Sequence, residues 1–247
     1  MTVKAIILGA SKGMGRALAR RMAERGDRLF LLGRTDDIER SARDLEQRGK
    51  TSAPVGTALC DLERPETFAP ALDAAHAALG GFDTVIVTGG LFGTQDELER
   101  DAELTRRVLV VDFAHTVLFC EEARKRLIAA GGGTLCVFSS VAGDRGRSSV
   151  VLYGAAKAGL THYLEGLDHR FHRQGLRTVC VRPGFVKTSM TEGLPTPPFA
   201  GTPEQVAGQV LTAIDKGAPV IYTPRPWALV MLIVRWLPRF VMRRVRF

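Results

Sequence analysis

Short apolar runs alternate with amphipathic stretches along the whole chain. Residues 3–8, 28–32, 55–59, 84–88, 134–139, 178–181 and 219–222 are brief runs dominated by small and branched apolar side chains, and they predict seven strands. Between them, residues 16–25, 36–48, 65–79, 150–174 and 204–216 carry helical spacing. Residues 96–130 form one long helical region, with Asp112 as a candidate break. Gly26 and Gly49 stand where the first two helices should stop, and Pro65 stands at a helix start. Residues 194–203, rich in Pro and Gly, predict a loop. Short strands that are apolar on both faces and alternate with helices predict an α/β fold, a doubly wound parallel sheet of about seven strands with helices on both faces. Residues 1–224 read as a single domain without repeat or linker, and residues 225–247 differ from them in composition.

Charge sharpens that division. The formal net charge is +8, but six arginines and no acid lie from Arg225 onward, which leaves +2 for the first 224 residues. The basic character belongs to the tail, so the body is not expected to bind nucleic acid. Cys60, Cys120, Cys136 and Cys180 are widely spaced, with no Cys-x-x-Cys pair. Buried free thiols in a reducing compartment are expected, with no disulfide framework and no metal site. The five histidines show no metal spacing. The start of the sequence has no signal-peptide pattern, since the apolar run is short and glycines follow at once.

Three local patterns carry chemistry. Gly9, Gly13 and Gly15, with Ser11, Lys12 and Met14 among them, join the first strand to the first helix. Bare backbone at such a junction can approach a pyrophosphate, and a helix N-terminus favours negative charge. Strand two ends in Gly33-Arg34 where an acid would select NAD(H) by bonding the ribose hydroxyl. Arg34 and Lys12 are two cations placed to meet a 2′-phosphate, which favours NADP(H) over NAD(H), although Asp36 and Asp37 lie close enough to offset Arg34. Tyr153 and Lys157 are four apart on a predicted helix and share a face, and Ser140 lies thirteen residues before the tyrosine. An ammonium beside a phenol favours the phenolate, so this pair is expected to have a lowered tyrosine pKa and to act as a general acid/base.

Together with Asp61-Leu62 and the run Pro183-Gly184-Phe185-Val186-Lys187-Thr188, these patterns resemble the short-chain dehydrogenase/reductases over essentially the whole chain. The resemblance implies a Rossmann fold and hydride transfer between a nicotinamide and a substrate carbon. It implies Tyr153 as proton donor or acceptor, Ser140 as anchor for the substrate oxygen, and Lys157 on the nicotinamide ribose. Asp61 would hold the adenine and Thr188 the carboxamide, with Leu62, Gly89, Pro183, Gly184 and Val186 also lining the cofactor. Family members are commonly dimers or tetramers, so a homo-oligomer is expected. Two departures stand out. Thr88-Gly89-Gly90 replaces the usual Asn-Ala-Gly, and Asp112 stands where the family usually has an asparagine that relays protons to the lysine. Asp112 puts that relay in doubt.

Substrate clues are of two kinds. Arg145 and Arg147 lie between Ser140 and Tyr153 and are candidates to meet a substrate phosphate or other anion. A solvated loop is the alternative. In the tail, Arg235, Arg239, Arg243 and Arg246 follow helical spacing with Arg244 opposite, Trp227 and Trp236 flank an apolar run, and Pro238 should kink the helix. The run is too short to span a bilayer but suits a helix lying at a membrane surface, with packing on the domain as the alternative. Residues 89–93, 139–147, 153–160 and 182–190, with the arginine tail, look like decaprenylphosphoryl-2-keto-ribose 2-reductase-like members of the family. The expectation is an NADP(H)-preferring, cytoplasmic reductase, peripheral on the inner membrane face, acting on a lipid-linked or hydrophobic ketone, a polyprenyl-phosphate 2-keto-pentose foremost. Reduction of a 3-oxo-acyl, sphingoid or steroid ketone is the enzymatic alternative. A cofactor-binding sensor or subunit with impaired turnover is the reading from another class, supported by Asp112 alone.

Overall fold

A computed structural model describes residues 2–50 and 53–244. Its centre is a sheet of seven parallel strands in the order β3-β2-β1-β4-β5-β6-β7. The strands are β1 (Lys4–Leu8), β2 (Arg28–Gly33), β3 (Gly56–Leu59), β4 (Thr84–Val87), β5 (Gly133–Phe138), β6 (Leu176–Pro183) and β7 (Val220–Thr223). The strand period of two divides their side chains between two cores. Ile6 and Leu8 join Phe30, Leu32, Val85 and Val137 on one face, and Ala5 and Ile7 join Leu29, Leu31, Ile86 and Cys136 on the other.

Helices cover both faces. α1 (Gly13–Arg25), α2 (Asp37–Arg48) and α8 (Pro203–Lys216) bury Leu18, Met22, Leu45, Val206 and Val210 on the second face. α3 (Phe68–Leu79), α6 (Thr116–Ala129) and α7 (Val151–Phe171) bury Leu72, Phe119, Leu160 and Leu164 on the first. Gly26 ends α1 as expected: at φ +96° its N–H reaches the carbonyl of Ala23 and that of Asp27 reaches Met22. The four cysteines are buried free thiols.

The long helical region differs from expectation. Its first break falls at Asp101, between α4 (Gln95–Arg100) and α5 (Ala102–Leu109), because the Asp101 carboxylate caps α5 at Leu104 N–H, 2.9 Å away. At Asp112 the helix does not break. It widens into a π-turn over Val110–His115 and continues as α6. The extra residue in that turn lets Asp112 point inward, and its side chain is buried.

The tail folds back on the domain as α9 (Pro226–Trp236) and α10 (Arg239–Met242), broken at Pro238. Trp227, Met231 and Val234 form the inner face of α9 and pack on Val141. Trp227, expected at a membrane surface, is an inward anchor: a Cβ on Gly184 would lie 2.2–2.3 Å from its indole atoms. The outer face carries Leu229, Leu232, Ile233 and Trp236, the last 81% exposed, and Phe240 follows on α10. Arg246 lies outside the described residues.

Candidate active site

β1 and β4 are sheet neighbours, but the chain leaves them toward opposite sides, and this switch point opens a crevice at the strands' C-terminal ends. The crevice holds about 370 Å³ and is lined by Gly9, Ser11, Lys12, Gly13, Met14, Gly15, Arg34, Asp61, Leu62, Gly89 and Thr188. Gly15 is forced by packing: a Cβ there would sit 2.3 Å from the Gly9 carbonyl oxygen and 2.4 Å from Thr88 Oγ1. Thr88 donates to the carbonyls of Leu8 (3.0 Å) and Gly9 (3.1 Å), so the residue that departs from the family pattern ties the glycine turn to β4. The first turn of α1 contains no acid, and no described side chain caps it at Lys12. Its N–H groups therefore face the crevice with the positive end of the helix dipole. These residues fit a dinucleotide pyrophosphate.

The end of the crevice at Arg34 is more mixed in charge than the sequence implied. Arg34 is exposed, with its Nη1 3.9 Å from Glu63 Oε2. Glu63 was not anticipated as a site residue. Its carboxylate is held by Arg107 through bonds of 2.7 and 2.9 Å, and these bonds keep it below the usual carboxylate range. Asp37, expected near Arg34, pairs instead with Arg40 at 2.7 Å. Asp61 Oδ1 accepts the Glu63 N–H at 3.0 Å and thereby shapes this end of the crevice.

The candidate reactive pair, Tyr153 and Lys157, lies on α7, with Lys157 Nζ near Gly90 of the crevice. The Ser139 hydroxyl donates to the Lys157 carbonyl at 2.9 Å and bonds Thr161 at 2.7 Å, which fixes α7 against the end of β5. Ser140 Oγ accepts from Ala142 N–H at 3.1 Å and donates to the Pro183 carbonyl at 3.5 Å, and its hydroxyl favours the Tyr153 phenolate. Phe92 meets the Tyr153 ring edge-on with centroids 5.2 Å apart, a contact no sequence rule indicates. Lys157 is buried, donates to the Phe138 carbonyl at 3.4 Å, and lies 3.6 Å from Asp112 Oδ2. Asp112 Oδ1 accepts the Leu91 N–H at 2.6 Å.

These neighbours reverse one expectation. Burial is the strongest influence on Tyr153. It pushes the phenol above its usual value, Lys157 opposes it, and Asp112 reinforces it. Lys157 does not bring the phenol below normal, because burial outweighs its pull and Asp112 adds to burial. Burial is the strongest influence on the Lys157 ammonium and works against it, but Asp112 and Tyr153 together outweigh burial and hold the amine above its ordinary value. Burial likewise pushes Asp112 up, against the pull of Lys157 and Leu91 N–H.

Other predicted site residues fall elsewhere. Pro183 ends β6, Gly184 abuts Trp227, and Val186 is buried and bridges Gly201. Arg145 donates to the Leu237 carbonyl at 2.9 Å and so clamps the end of α9. With Arg147, Arg239 and Arg243 it lines a second cleft of about 640 Å³, against the Gly154-Ala155-Ala158 side of α7. Arg145 and Arg147 therefore do not join the cofactor crevice.

Known proteins resemble this chain in sequence and fold. The family model for short chain dehydrogenases matches residues 3–197. An uncharacterized oxidoreductase of Mycobacterium tuberculosis is 34% identical over 242 residues, covering 97% of this chain and 96% of that protein. Cis-4-hydroxycyclohexanecarboxylate dehydrogenase of Sinomonas cyclohexanicum is 30% identical, covering 77% of this chain and 76% of its own. A short-chain dehydrogenase/reductase structure from Mycobacterium ulcerans superposes with a TM-score of 0.82 at 20% identity, covering 98% of this chain and 97% of that one. The chain belongs to the short-chain dehydrogenase family and is an oxidoreductase.

Proposed function

We propose that the protein reduces a ketone on a hydrophobic or lipid-linked substrate, with NADP(H) preferred over NAD(H). The observation that carries this reading is Lys157 Nζ 5.6 Å from the Tyr153 ring, beside a glycine-lined crevice whose Gly90 abuts that amine. When bound, the nicotinamide supplies the hydride. Ser140 holds the substrate oxygen, and Tyr153 Oη gives its proton to that oxygen as the carbonyl becomes an alcohol. Lys157 supports the phenolate that remains. Gly13, Gly15 and the first turn of α1 hold the pyrophosphate, Asp61 the adenine end, and Thr188 the carboxamide.

Arg34 and Lys12 support the 2′-phosphate reading, since Glu63 is already occupied by Arg107 and draws on Arg34 only at 3.9 Å. Arg34→Glu is expected to weaken NADPH ten- to hundredfold, the value of one charged hydrogen bond at about 1.5–3 kcal/mol. NADH should change little. Titration of both cofactors by fluorescence checks this, and equal losses would remove the argument.

The outer face of α9 supports delivery from a membrane surface. Its exposed Leu229, Leu232, Ile233 and Trp236 lie among exposed Arg225, Arg235, Arg239 and Arg243. Near anionic lipid each arginine contributes about 1 kcal/mol. No helix among the described residues is long and apolar enough to cross a membrane. The same segment touches the Pro- and Gly-rich loop over residues 194–203, because Trp227 Nε1 donates to the Phe199 carbonyl at 3.1 Å. The test is a ketone panel with NADPH, presented both in solution and in anionic vesicles, and including a polyprenyl-phosphate 2-keto-pentose. A Leu232→Glu/Trp236→Glu variant should lose vesicle binding and most turnover of vesicle-borne ketone, while keeping turnover of a soluble one. Equal activity on both would reassign α9 to packing or assembly.

A further inference from the structure

We propose that Asp112 is a positioning residue whose carboxylate neutralises Lys157 and so keeps Tyr153 the proton donor of a reductase. The inference rests on Tyr153 being the acid, as proposed above. Its basis is the geometry of one buried pair. Asp112 Oδ2 faces Lys157 Nζ at 3.6 Å and has no hydrogen-bond partner, while Oδ1 is taken by Leu91 N–H at 2.6 Å. A protonated carboxyl here would leave its O–H without an acceptor beside an ammonium. The carboxylate is the form the surroundings suit.

From the phenol, the pair is a near-neutral dipole and not a bare cation. An unpaired ammonium in a low-dielectric site would favour the tyrosinate strongly. The Asp112 charge offsets that help, which agrees with the upward direction of Tyr153. The titratable groups acting on Lys157 are Asp112 from the π-turn, Tyr153 on α7 and Cys180 from β6. Burial keeps the Cys180 thiol neutral at ordinary pH, and neighbouring Arg182 is paired with Asp144 at 3.1 Å. No other described charge is placed to take over from Asp112.

A neutral side chain at this position should therefore lower the tyrosine titration. The proton donor would be lost at lower pH during reduction, and the proton acceptor for oxidation would appear at lower pH. Asp112 thus sets the pH window of each direction, leaving the overall equilibrium untouched. Because the carboxylate also holds Leu91 N–H, it ties the segment after β4 to the amine.

Asp112→Asn separates the two parts, since its amide oxygen can still accept from Leu91. The experiment is a tyrosinate absorbance titration of the full chain, with and without NADP+, as the difference between each protein and its Tyr153→Phe counterpart. It needs no substrate. Asp112→Asn is expected to move the Tyr153 midpoint down by about one unit or more, and Asp112→Glu to restore it in part. Asp112→Ala should also shift it down, which keeps the test open if the Asn variant does not fold. With a working ketone, the alkaline limb of reduction should move by the same amount, about a tenfold loss at a fixed pH on that limb. An unchanged midpoint in both neutral variants overturns the proposal. Retained turnover in Tyr153→Phe would instead overturn the acid assignment, so the two failures are distinct.

Discussion

Gly15→Ala is expected to remove most cofactor binding and to destabilise the fold. A single methyl at this position would fall 2.3 Å from the Gly9 carbonyl oxygen and 2.4 Å from Thr88 Oγ1. Neither neighbour is a loose side-chain end. The Gly9 carbonyl is backbone, and Thr88 is fixed by its bonds to Leu8 and Gly9. The glycine turn must therefore move away from β4. Overpacking of this kind costs about 1–3 kcal/mol, which for a chain of this size lowers Tm by roughly 2–4 °C per kcal/mol. Displacing one charge-assisted hydrogen bond to a pyrophosphate costs a further ~1.5–3 kcal/mol of binding, a ten- to hundredfold loss. Gly166 on α7 is the control, since a Cβ there meets nothing within 4 Å. Gly166→Ala should leave binding intact and gain a few tenths to about 1 kcal/mol from helix propensity. Calorimetry and cofactor titration of the two variants check the contrast. Wild-type affinity in Gly15→Ala would remove the crevice from the account.

What the sequence disclosed was local. The glycine turn, the Tyr153–Lys157 spacing and the strand–helix alternation each depend on residues a few positions apart, so periodicity and turn chemistry reveal them. What it concealed was long-range. Glu63 reaches Arg34 only because Arg107 of α5 holds it there. Gly184 looks like part of a cofactor motif, yet its lack of a side chain makes room for Trp227 of the tail. The expected lowering of Tyr153 applied a rule for two neighbours to a site with three. Burial of the phenol was the larger missing influence, and Asp112, brought inward by the π-turn, was the missing charge. The tail combined both kinds of signal: its amphipathic spacing was legible, but which face turns inward depended on Val141 and on Arg145 clamping Leu237.

Tyr153→Phe is the second large effect, and it bears on the core of the account. The substitution removes one oxygen and keeps the ring against Phe92, so the fold and the crevice should persist. Ser140 would still receive the substrate oxygen, but no group would be placed to give it a proton. General acid catalysis contributes about 10²–10⁴-fold, and reduction should fall by at least the lower figure. The decisive measurement is the rate of NADPH consumption with a turned-over ketone, alongside NADPH affinity, in wild type and Tyr153→Phe. Unchanged affinity with turnover reduced at least ~10²-fold is expected; unchanged affinity with wild-type turnover would contradict Tyr153 as the proton donor.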